Sequence, residues 1–171
     1  MTDDVFQPSA DQFVARNAEW AAGFAHAGLP VSPRRHVAVV ACMDSRMPIF
    51  GILGLDQGDA HIIRNAGGVV TDDVIRSLTL SQRALGTREI ILVHHTDCGL
   101  QKVTEAGFNQ ELEDELGVRP QWALESFADP YVDTRQSMQR LRLSPFIAYK
   151  DHIRGFVYDV DNGRLDEVIP D

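Results

Sequence analysis

The chain has 171 residues, 44% of them hydrophobic and 24% charged, which is the size and balance of one ordinary globular domain with its own core. Acidic residues outnumber basic ones 25 to 16, and the resulting net charge of −9 is spread along the chain, which argues against nucleic acid as a partner. No apolar run approaches the ~20 residues that span a bilayer, and the first ten residues, MTDDVFQPSA, have neither a basic start nor a hydrophobic stretch, so a cytoplasmic protein with no membrane segment is expected.

From Ala10 to Ala27 the apolar residues Phe13, Val14, Ala18, Ala21, Ala22 and Ala25 recur at three- and four-residue steps, as on one helical face. Gly28 and Pro30 end that pattern, so residues 1–30 read as an amino-terminal helical arm. His36–Ala41 is a continuous, β-branched run of the kind found in a strand covered on both faces. Ala60–Ile63 reads as a second strand, followed by the turn Asn65-Ala66-Gly67-Gly68 and a helix. Thr71 is its N-cap, Asp72 and Asp73 suit the dipole of its first turn, and Gly86 closes the pattern. Glu89–Val93 is a third strand. Between Gly99 and Leu143 no strand is convincing, and the helical pieces are broken at Gly117, Pro120 and Pro130. Two strand-like runs, Ile153–Val160 and Arg164–Ile169, flank Asp161-Asn162-Gly163, a hairpin signal. Alternating strands and helices predict an α/β fold: one domain over 1–171, with a short, mainly parallel central sheet, flanking helices and a carboxy-terminal hairpin.

Two cysteines, Cys42 and Cys98, are too few for a secreted disulfide framework and in a reducing compartment more often serve metal or catalysis. Cys42 follows the first strand, while His95 and Cys98 follow the third. In an open parallel sheet the carboxyl ends of the strands share one edge, where ligands gather. If strands one and three are neighbours, the three residues meet. Two thiolates and an imidazole favour zinc, and three protein ligands leave a fourth tetrahedral position for water.

The segment Cys42-Met43-Asp44-Ser45-Arg46, followed by His95-Thr96-Asp97-Cys98-Gly99 with Arg64-Asn65-Ala66-Gly67 between them, resembles the paired signature and third landmark of the β-class carbonic anhydrases, in their small prokaryotic form. The resemblance covers roughly Val37 to Gly99. It implies one zinc per chain, held by Cys42, His95 and Cys98, and a carbonate dehydratase that interconverts carbon dioxide and bicarbonate. Asp44 and Arg46 would be the catalytic dyad. Zinc lowers the pKa of its bound water toward ~7, Asp44 would accept a hydrogen bond from the resulting hydroxide, and Arg46 would keep that carboxylate ionised and oriented. A released Asp44 could instead swing onto the metal and exclude water. The resemblance also implies a homodimer or homotetramer, for which the Phe13, Val14, Ala18, Ala21 and Ala22 face of the first helix is a candidate surface.

Hydrolysis of carbonyl sulfide or carbon disulfide at the same zinc site is an alternative, because the first step is the same attack on a linear, apolar heterocumulene. A non-catalytic zinc scaffold, with Asp44 permanently on the metal, and a thiol redox protein are others. Strand alternation turns His94 away from His95, so it reads as a histidine packed behind the ligands or in the core. Asp97 would hold a ligand's orientation or stabilise the turn, and Arg64 and Asn65 would line the mouth of the site or serve only to turn the chain. His26, His36, His61 and His152 have no partners at ligand spacing, and Trp20 and Trp122 are assigned to core or interface.

Overall fold

Six successive residues of low polarity, Val37–Cys42, form strand β1, which is buried at every position, as a strand covered on both faces must be. The computed structural model describes residues 6–170; the first five residues of the amino-terminal arm, and Asp171, lie outside the described residues. Strands β2 (Ala60–Asn65), β3 (Glu89–His95), β4 (Ile153–Tyr158) and β5 (Leu165–Val168) complete one sheet of order β2-β1-β3-β4-β5. All neighbours run parallel except β4 and β5, which pair antiparallel. Strands one and three are thus neighbours, as the metal reading required.

Helices α1 (Ala10–Ala22), α2 (Ile49–Leu53), α3 (Asp72–Arg83), α4 (Glu105–Leu116) and α5 (Pro130–Leu143) connect or flank the strands. One apolar layer joins Ala38, Val40, Ile90 and Leu92 of the sheet to Val74 and Leu78 of α3 and Met138 and Leu141 of α5. On the opposite face Val39, Ala41 and Val93 pack with Met47, Ile49 and Leu100. The two layers take alternate residues of each strand, as the period of two demands. Gly155 lets α5 approach β4, since a Cβ there would run into the methyl group of Thr134 and lie 3.1 Å from the sulfur of Met138.

Several boundaries differ from the sequence expectation for identifiable reasons. Helix α1 ends at Ala22, capped by Gly23, so Ala25 and Ala27 fall beyond it. His36 precedes β1 in a turn with φ 53°. Strand β3 runs on through His94 and His95 because they pair with Val157 and Tyr158 of β4, a strand distant in sequence. Helix α2, closed by Gly54 in the left-handed conformation, is too short to show a period. Pro130 opens α5 instead of breaking a helix; a proline in the first turn has no intrahelical bond to lose. Asp129 caps that helix by accepting the amide N–H groups of Tyr131 and Val132. The Thr71 cap of α3 holds, its hydroxyl accepting the Val74 N–H at 3.3 Å. The hairpin loop runs from Asp159 to Arg164, tied by the Asp159 carboxylate, so Asn162-Gly163 forms only its end. Trp20 and Trp122 stand exposed, outside the core half of their core-or-interface assignment, and α1 buries none of its residues.

Candidate metal centre

Cys42 is the last residue of β1, and its position is set from three sides. The Met43 N–H donates to the Asn65 carbonyl at 2.8 Å. Arg64, from the edge strand β2, reaches back to donate Nε to the Cys42 carbonyl at 2.9 Å and Nη2 to the Asp44 carbonyl at 2.7 Å. Gly68 passes over the end of the strand with φ 72°, so close that a Cβ would lie 2.7 Å from the Cys42 nitrogen. Arg64 therefore braces the loop after β1; that structural task is the one the geometry displays. Asn65 donates its amide to the Val69 carbonyl at 2.9 Å and so closes the turn.

His95 is the last residue of β3. Its Nδ1 lies 2.8 Å from the Thr96 carbonyl, which can only accept, so the ring proton resides on Nδ1 and Nε2 carries a free lone pair. That Nε2 is buried and has no hydrogen-bond partner. Cys98 follows after a single turn whose amide is held by the Gln101 side chain at 2.9 Å. The ligand atoms of Cys42, His95 and Cys98 all lie within 4.8 Å of one another, and all three residues are buried. A buried imidazole lone pair beside two buried sulfurs is unfavourable by itself. A thiophilic cation between the three donors removes that defect, so the residues present fit zinc.

The electrostatics agree. The hydrogen bond from Cys98 pulls the Cys42 thiol well below its ordinary range against the opposing effect of burial, and His95 adds to the shift. Cys98 moves up, because it holds the shared proton and is itself buried. Burial alone would lower His95, but the neighbouring Cys42 thiolate outweighs it and the net shift is upward. These shifts favour the thiolate at Cys42, which is the form a ligand must take.

Asp44 sits at the rim. Both its oxygens are taken by Arg46, with Nε to Oδ1 at 3.0 Å, Nη2 to Oδ2 at 2.7 Å and the Arg46 amide to Oδ1 at 2.8 Å. This fork holds the Asp44 carboxyl far below the usual carboxylate range. Oδ2 is 3.7 Å from His95 Nε2, so the carboxylate faces the metal cluster without bonding to it. All five expected site residues therefore converge at one sheet edge.

His94 points to the other face, as alternation predicted. It is fully buried, with Nε2 2.6 Å from the Asp133 carboxylate and its ring 5.5 Å from that of Phe127. The hydrogen bonds and ion pairs of the Asp97 side chain go to basic side chains. It pairs with Arg46 at 2.9 Å and with Lys102 at 2.8 Å. Lys102 gave no signal in the sequence, since nothing about a lone lysine four residues past Cys98 marks it as part of the site. His61 bonds to Ser81 and His36 to the Gly86 carbonyl, as structural histidines do.

Comparison with known proteins places these features in context. A family model described as carbonic anhydrase matches residues 37–142. β-Carbonic anhydrase 1 of Mycobacterium tuberculosis is 52% identical over 160 residues, spanning 94% of this chain and 98% of that protein. The crystal structure of a carbonic anhydrase from Streptococcus mutans superposes with a TM-score of 0.87 at 45% identity, covering 96% of this chain and all (100%) of that one. A carbon disulfide hydrolase from Acidithiobacillus thiooxidans is 33% identical over 152 residues, 77% of this chain and 76% of that protein.

Proposed function

Because the chain belongs to the β-carbonic anhydrase family, we propose that it catalyses the reversible hydration of carbon dioxide to bicarbonate at one zinc ion held by Cys42, His95 and Cys98. The observation that carries this reading is the pairing of a buried, unpartnered His95 Nε2 beside two sulfurs with an Asp44 carboxylate held off the cluster by Arg46.

Zinc bound there would supply hydroxide near neutral pH by lowering the pKa of a water toward ~7. The chain's own residues do the rest. Asp44 offers a carboxylate that Arg46 holds toward its ionised form at the rim, able to orient a hydroxyl group by accepting its hydrogen bond. Arg46 keeps Asp44 charged and prevents it from filling the fourth ligand position. Arg64 fixes the loop that carries both Cys42 and Asp44. The apolar layer around Cys42 and Cys98, with Met47, Val69, Leu100 and Phe127, suits a small apolar substrate.

A carbon disulfide or carbonyl sulfide hydrolase is the second reading, supported by the similarity to the hydrolase from Acidithiobacillus thiooxidans. Steady-state rates of the zinc-loaded chain with carbon dioxide, carbonyl sulfide and carbon disulfide separate the two. Fast hydration of carbon dioxide supports the first reading; negligible hydration beside rapid sulfide release overturns it. A non-catalytic scaffold would show neither rate.

Two further points belong to the same reading. The apolar residues Phe13 and Val14 of α1 are 69% and 71% exposed, which supports a homodimer or homotetramer that covers them. Sedimentation as a monomer at micromolar concentration would refute it. No described helix is long and apolar enough to cross a membrane, and free cysteines as ligands suit the reducing cytoplasm.

A further inference from the structure

The Asp44–Arg46 pair lies within one loop, so by itself it cannot fix where the carboxylate stands relative to the ligands on the other loop. Arg46 is a long side chain, 44% exposed, and such a chain samples many rotamers unless it is held at both ends. The second hold comes from Asp97, in the loop after β3. Its Oδ2 accepts from Arg46 Nη1 at 2.9 Å and its backbone carbonyl accepts from Nη2 at 3.0 Å. Asp97 uses guanidinium protons that Asp44 leaves free, so the two carboxylates share Arg46 instead of competing for it.

The other Asp97 oxygen is 2.8 Å from Lys102 Nζ. Charges therefore alternate along Asp44, Arg46, Asp97 and Lys102, bridging the loop that carries Cys42 to the one that carries His95 and Cys98. Asp97 also has φ 54°, a left-handed conformation that aspartate, asparagine and glycine tolerate best. This backbone turn aims both its carbonyl and its carboxylate at Arg46.

We propose that Asp97, steadied by Lys102, is a positioning residue that anchors the Arg46 guanidinium across the two ligand loops and so keeps Asp44 off the metal. This rests on the reading of Asp44 and Arg46 as the working pair. Its rival is a purely local role, in which Asp97 only shapes the turn that presents Cys98.

Glycine at position 97 removes the carboxylate contact to Nη1 without straining the turn and leaves only the backbone carbonyl on Nη2, while asparagine retains both a neutral acceptor for Nη1 and tolerance of the left-handed backbone. The full-length, zinc-loaded chain and its Asp97→Gly, Asp97→Asn and Lys102→Met variants are compared in three ways. These are solvent exchange of the Arg46 Nε proton by 15N-edited NMR, zinc affinity by chelator competition, and kcat and KM for carbon dioxide. For Asp97→Gly we expect the Arg46 proton to exchange roughly tenfold faster and kcat to fall roughly three- to tenfold, with KM and zinc affinity within about twofold of the parent. Asp97→Asn should recover most of both effects, and Lys102→Met should fall between. An unchanged Arg46 exchange rate in Asp97→Gly overturns the anchor. A loss of zinc affinity of about tenfold or more also overturns it and assigns Asp97 to the Cys98 turn. A parent chain inactive on carbon dioxide would sink the functional reading alone, because the exchange rate would still decide the role of Asp97.

Discussion

Gly68 crosses the end of β1 with φ 72°, and a Cβ built there would lie 2.7 Å from the Cys42 nitrogen, 2.9 Å from the Ala41 carbonyl carbon and 3.2 Å from the Val93 oxygen. All three are backbone atoms of interior strands, which cannot swing aside as a side chain can. Gly68→Ala therefore incurs two costs. Holding an alanine in the left-handed region costs ~1–2 kcal/mol, and forcing extra volume into a packed site costs ~1–3 kcal/mol. At ~2–4 °C per kcal/mol for a chain of this length, the melting temperature should fall by roughly 5–15 °C. Any relief of the clash moves the Cys42 backbone, so zinc retention should fall as well. Gly51→Ala is the control, because nothing lies within 4 Å of its Cβ position and the helical backbone of α2 accepts alanine; it should be neutral or stabilising by up to ~1 kcal/mol. Scanning calorimetry and zinc analysis after dialysis check both. A Gly68→Ala protein that melts within about 2 °C of the parent and retains its zinc would refute the packing argument.

Cys42→Ser should abolish zinc retention, whereas Asp44→Asn should keep zinc and lose turnover by on the order of a hundredfold; metal analysis beside stopped-flow hydration distinguishes them, and the reverse pattern would overturn the assignments. Asp59 is buried where it accepts the Asp56 N–H at 3.0 Å and pairs with Arg34 at 2.8 Å and Arg35 at 3.2 Å. These contacts, led by the Asp56 amide and followed by the two arginines, hold its carboxyl below the usual carboxylate range. A depressed carboxylate contributes stability that is present above its unfolded pKa and lost as pH falls through the folded value. The urea-unfolding difference between parent and Asp59→Asn should thus be flat from about pH 5 to 8 and shrink below about pH 4; a difference that does not vary with pH would contradict this. The Glu105 carboxylate accepts the Leu124 N–H at 3.0 Å, the Glu125 N–H at 3.1 Å and the Asn109 amide at 3.1 Å. It thereby pins the segment after α4 that carries Phe127 to the sheet. Glu105→Ala should speed limited chymotrypsin cleavage after the exposed Trp122 several-fold, and an unchanged cleavage rate would show that the pin carries no weight.

Much of the site was legible before any tertiary contact was known. Cys42, His95 and Cys98 could be joined because uninterrupted apolar runs identify parallel strands, and parallel strands place their trailing loops on one edge. Two thiols and an imidazole then favour zinc on donor chemistry alone, whatever the details of packing. Helix caps such as Thr71, and the glycine that ends α4, were equally readable because they act within a few residues of themselves. Boundaries failed where pairing decided them: β3 extends through His94 and His95 only because β4, far along the chain, lies alongside. The same holds for the supports of the site. Arg64 reaches a carbonyl 22 positions away, Asp133 meets His94 across 39 positions, and Asp97 grips Arg46 across 51. Periodicity and propensity carry no record of such distances. The amino-acid sequence by itself determined the donor set and the sheet edge that collects it. Only the tertiary structure decided which charged side chains brace that set, because their directions depend on how the loops after β1 and β3 come to face each other.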